Sequence, residues 1–104
     1  MIAEQIRKNL RKIGDEERAE ISQRFFKTGP GEYAERDLFL GIMVPELRKL
    51  AKVYEPISLT EATKLLRSAI HEERLLALFI LIRRYAKGCE IEQEKIYRLY
   101  LKNI

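Results

Sequence analysis

The chain has 104 residues, 46% of them apolar and 35% charged, a length that holds one domain at most and a core near the lower limit for folding without staples. The charges are mixed, 20 basic against 16 acidic, which excludes a disordered polyelectrolyte. One cysteine excludes an internal disulfide and fits a reducing compartment.

Ile2, Ile6, Leu10 and Ile13 recur at steps of three and four, which predicts a first helix stopped by Gly14. Asp15 is placed to cap a second helix, with Glu16 and Glu17 in its first turn, running to about Lys27. Ala19, Ser22 and Phe26 share one of its faces, with Phe25 beside them. A breaker cluster, "TGPGEY" (28–33), opens a loop that extends to Val44. Pro45 suits the first position of a third helix, whose apolar face is Leu47, Leu50, Ala51 and Tyr54 and which Pro56 ends.

"SLTE" (58–61) reads as a capping box, Ser58 bonding the Glu61 amide while the Glu61 side chain reaches back. The fifth helix starts near His71 and contains "LLALFILI" (75–82), a run too long to be one face of a helix. It is therefore expected to be covered on several sides. A buried strand competes for the same run, and the breaker-free stretch from His71 to Lys87 favours helix. Gly88 closes it, and a last helix from about Glu90 carries Ile96, Tyr97, Tyr100 and Leu101. The expected fold is all-α: about six antiparallel helices in a single domain, 1–104, stacked as a helical repeat.

No stretch approaches the ~20 consecutive apolar residues of a membrane span. "MIAEQIRKNLRKIG" lacks the apolar region of a secretory signal, so cytoplasm is the default expectation; its alternative use is as a basic amphipathic helix on an anionic surface. His71 and Cys89 sit at opposite ends of one helix roughly 25 Å long, too far apart to pair. No zinc ligand set, P-loop or GxGxxG is present, and no cofactor is expected. The acidic residues read as solvated or capping carboxylates, with His71-Glu72-Glu73 a simple helix start.

A net charge of +4 is too small to imply nucleic acid by itself. Its distribution is uneven: Arg7, Lys8, Arg11 and Lys12 in the first helix; Arg48, Lys49 and Lys52 in the third; Arg74, Arg83, Arg84 and Lys87 in the fifth. Like charges four apart on a helix repel by a few tenths of a kcal/mol. Such faces are either simply solvated or meet an anionic partner, where each cation adds salt-sensitive affinity.

Two motifs sharpen the choice. Phe39, Leu40, Gly41, Ile42, Pro45, Glu46 and Arg48 match F-L-G-I-x-x-P-E-x-R, and His71, Glu72, Arg74, Ala77 and Leu78 match H-E-x-R-x-x-A-L. In these the chain resembles the DNA alkylation repair enzyme family, alkylpurine DNA glycosylases built from HEAT-like repeats. The resemblance implies double-stranded DNA carrying an alkylated base as partner. It also implies that these residues are the N-terminal half of a longer protein. The family's W-D-x-V-D segment, with its catalytic Asp, has no counterpart among the 104 residues, which contain no tryptophan. No catalytic residue carries over, and the chain alone is expected to be inactive.

What does carry over is the cleft-facing loop. Met43, Val44 and Pro45 occupy it, Phe25 matches an aromatic position on the preceding helix, and Arg48 and Lys52 follow on the next. With Arg83, Arg84 and Lys87 these are the expected nucleic-acid contacts. The competing reading is a non-enzymatic helical-repeat scaffold for protein partners. On either reading the apolar C-terminal helices invite self-association.

Overall fold

The structure is a computed structural model and describes residues 1–25 and 38–103, with the side chains of 1–22 and 38–103. Phe26, the T-G-P-G-E-Y cluster and the Phe25 side chain lie outside the described residues. Among the described residues are six helices: α1 (Ala3–Ile13), α2 (Glu16–Phe25), α3 (Val44–Tyr54), α4 (Leu59–Leu66), α5 (His71–Lys87) and α6 (Glu90–Lys102). No strand accompanies them, only an isolated parallel bridge between Leu38 and Ile70. The all-α expectation holds, and the run at 75–82 is helix.

Local chemistry sets most boundaries. The Gly14 amide donates to the Leu10 carbonyl at 2.9 Å, and Asp15 Oδ1 accepts from the Arg18 amide at 3.0 Å, closing one helix and capping the next. Pro45 stands at the second position of α3, after Val44, with Met43 as the cap. The shift is harmless, because an amide there would also lack an intrahelical acceptor.

Half of the box at α4 forms. Ser58 Oγ accepts from the Glu61 amide at 3.2 Å, but the Glu61 carboxylate does not reach back. Oε1 instead accepts from the Ala3 amide at 3.0 Å, and Oε2 lies 2.6 Å from Lys64 Nζ. An unpaired amide at the start of α1 draws the carboxylate across helices. Those two donors, Lys64 first and the Ala3 amide next, hold the Glu61 carboxyl below the ordinary glutamate range.

Contacts between helices fix their directions. Ala3 meets Glu61 and Arg7 donates to the Lys64 carbonyl, so α1 and α4 run the same way. Arg48 lies over Phe79, and Glu55 pairs with Arg83 and Lys87, so α3 and α5 also run the same way. Helix α5 packs on α4, and α6 returns along α5 after Gly88 and Cys89. The parallel α3–α5 pair, two elements apart, has the spacing of a stacked helical repeat, whereas α1 and α4 pair in parallel across two intervening helices.

The core lies where these layers meet. Ile6, Leu10, Leu47, Ala51, Ile57, Leu65, Leu76 and Ile80 are buried, each large aliphatic contributing roughly 1.5–3 kcal/mol. Helix α5 packs against α3, α4 and α6, as its apolar run requires. Ile82 is the member of that run left in the open, 63% exposed.

Candidate nucleic-acid interface

The loop ahead of α3 changes character within one residue. Ile42 is buried, whereas Met43 and Val44 are 54% and 42% exposed, and Pro45 is exposed beside them. Two apolar side chains thus project from a turn that feeds directly into a helix. On that helix Arg48 and Lys52, four residues apart, are both exposed. The Arg48 guanidinium sits 5.1 Å from the centre of the Phe79 ring, on α5. Arg48, Ala51, Phe79, Ile82 and Arg83 together line a shallow depression of 210 Å³. Two of the expected contact residues, from different helices, are thereby brought to one concavity.

The cations of α5 stand differently. Arg83 Nε is 2.7 Å from Glu55 Oε1, and Lys87 Nζ is 3.0 Å from Glu55 Oε2. One carboxylate at the end of α3 thus serves two cations of α5. Its hydrogen bonds from Lys87 first and Arg83 second hold its carboxyl below the ordinary glutamate range. Arg84 turns the other way. It pairs with Glu92 of α6 at 2.9 Å and donates to the Ile57 carbonyl, tying α5 to its neighbours. For Phe25 the structure gives only a backbone position, the last residue of α2.

Below the exposed loop lies a feature that the sequence reading missed. Glu72 and Glu73 are not solvated: they are 3% and 0% exposed. Glu72 Oε1 accepts from the Leu40 amide at 2.9 Å, and Oε2 from the Gly41 and Ile42 amides at 2.8 and 3.3 Å. Glu73 Oε1 accepts from Arg7 Nε at 2.9 Å, while its Oε2 has no hydrogen-bond partner among the described residues. The second turn-side anchor is α2. The Asp15 amide donates to the Leu40 carbonyl at 2.8 Å. Gly41 has φ +80°, and a Cβ there would stand 2.1 Å from the Asp15 carbonyl oxygen and 2.7 Å from the Ala19 nitrogen. The signal for Glu72 was the joint presence of two motifs. F-L-G-I and H-E are the two halves of one contact.

Among the described residues no three His, Cys, Asp or Glu side chains gather as a metal site would need. His71 and Cys89 stand at the two ends of α5, the His71 ring tilted against Phe39 and Cys89 exposed. No described helix is long and apolar enough to cross a membrane.

Comparison with known families gives a match to the DNA alkylation repair enzyme family over residues 6–104. No curated protein and no solved structure gives a significant match.

Proposed function

We propose, since the chain belongs to the DNA alkylation repair enzyme family, that it binds duplex DNA through Met43, the cap of α3, the first α3 residues Val44 and Pro45, and the exposed face of that helix. The supporting observation is the adjacency of an exposed apolar pair with two exposed cations. Met43 and Val44 would pack against a nucleotide, while Arg48 and Lys52 would take backbone phosphates. Phe25 joins this set on the family resemblance alone. Arg83 and Lys87 would extend the phosphate track once released from Glu55, and Arg84 would add to the field from its place against Glu92. In the complete family reaction, hydrolysis of the glycosidic bond of a cationic alkylpurine, the base already leaves readily. A carboxylate stabilising the developing sugar cation then supplies the catalysis. On this reading the part played by these residues is binding, on a HEAT-like helical stack.

A salt titration tests it. Duplex affinity should fall steeply with salt, and Arg48→Ala with Lys52→Ala should weaken binding across sequences and flatten that dependence. Affinity indifferent to both changes would return α3 to a merely solvated face.

The second reading, a scaffold that associates with protein, is favoured by one observation. Leu78, Leu81, Ile82, Tyr85, Ile96, Tyr97 and Tyr100 line an open groove of 320 Å³ between α5 and α6. Its natural occupant on this reading is a second copy of the chain, bound through the same two helices.

A further inference from the structure

We infer that Glu72 is the positioning residue of the nucleic-acid loop: its buried carboxylate holds the Leu40–Ile42 backbone so that Met43 and Val44 are presented ready-made to a nucleotide. The inference rests on the DNA-binding reading above. Three amides in succession converge on the two oxygens of one side chain, at 2.9, 2.8 and 3.3 Å. A carboxylate at a helix start needs no burial to favour the helix dipole. Enclosing one is costly unless its lone pairs are filled, and here the filling groups are loop amides that would otherwise need water.

The surroundings leave the loop no other seat. Leu38 is bridged to the start of α5, its amide donating to the Ala69 carbonyl at 3.3 Å and its carbonyl accepting from the His71 amide at 2.8 Å. The Leu40 carbonyl is held by the Asp15 amide, and Gly41 packs against the backbone of Asp15 and Ala19. The chain is therefore fixed from Leu38 to Ile42 by α5 on one side and the α1–α2 junction on the other. Met43 is the first residue beyond it. A loop ordered before binding avoids the ordering cost at the moment of binding.

The test uses the full chain with Glu72→Gln, which keeps the shape but places an N–H₂ group against amide donors. Amide exchange at Leu40, Gly41 and Ile42 should accelerate by at least about tenfold, the equivalent of one lost charge-assisted hydrogen bond. Exchange at Leu47 and Ile80 should stay as in the parent. Duplex affinity should drop by about the same factor with its salt slope unchanged, since no phosphate contact is removed. Made in a background of Met43→Ala with Val44→Ala, the same substitution should cost no further affinity. An equal loss in both backgrounds would reduce Glu72 to a general fold support, and unchanged loop exchange would overturn the inference outright. Failure of the parent chain to bind duplex would overturn the DNA-binding reading and the presenting role with it. The exchange arm would still report whether Glu72 holds the loop. If Glu72→Gln does not fold, Glu72→Asp, one methylene too short to reach the amides, carries the same measurements.

Discussion

Gly41 shows how much one residue can decide. Its φ of +80° is one that side chains with a Cβ rarely adopt, and the space a Cβ would fill is already backbone of α2 and its cap. Gly41→Ala should therefore destabilise the fold by at least about 2 kcal/mol, strain and displacement together. Urea unfolding reads this directly, and an unmoved midpoint would mean that the loop yields without cost. Leu47 makes a second case. Fully buried on α3 beneath the exposed Arg48, it should cost about 2–5 kcal/mol as Leu47→Ala. Single residues were unevenly legible in the sequence. Asp15 and Ser58 announce their caps because a cap bonds an amide three residues away. Glu72 and Glu73 do not announce their burial, because their partners stand 30 to 66 positions off.

At the scale of elements, α3 and α5 meet through Glu55. The folded state lowers the Glu55 pKa, through Lys87 first and Arg83 next, so its contribution to stability is fully present above the unfolded value. That contribution is lost as pH falls through the lower, folded value. Glu55→Gln should thus lose stability at neutral pH and flatten the decline that the parent shows on acidification through the carboxylate range. Denaturation midpoints across that range measure it; parallel curves for the two proteins would show that the Glu55 pairs are idle. Helix periodicity foretold both elements, but not this tie. Charge along the sequence counts Arg83, Arg84 and Lys87 as a basic cluster, while in space Glu55 and Glu92 stand against them. Arg48 and Lys52, exposed on α3, were easier to read, since periodicity alone turns them away from Leu47 and Ala51.

For the whole molecule, two expectations concern what the stack does rather than what it is. The α5–α6 groove leaves Ile82, Tyr85, Tyr97 and Tyr100 between 41% and 63% exposed, and burying such side chains is worth roughly 1.5–3 kcal/mol each. Light scattering across a concentration series should show self-association, weakened by Ile82→Glu or Tyr97→Glu. A particle that stays monomeric at high concentration would retire the scaffold reading in its self-paired form. The second expectation is chemical. Among the described residues the buried carboxylates are Glu72, held by three amides, and Glu73, bound through one oxygen to Arg7. The 104-residue chain should therefore release no N7-methylguanine from duplex beyond the spontaneous rate, and turnover above it would locate a catalytic acid within these residues.

Glu55 also acts as a built-in counterion. A phosphate taking Arg83 and Lys87 would not meet bare cations; it would evict a carboxylate, which would then collect a sodium ion of its own. On the DNA-binding proposal, contacts on α3 would expel salt ions into solution, whereas contacts on α5 would trade one for another and leave the ion count nearly level. The two helices would thus respond to ionic strength unequally, and Glu55→Gln should make them alike: tighter binding in dilute salt, with a steeper decline as salt is added.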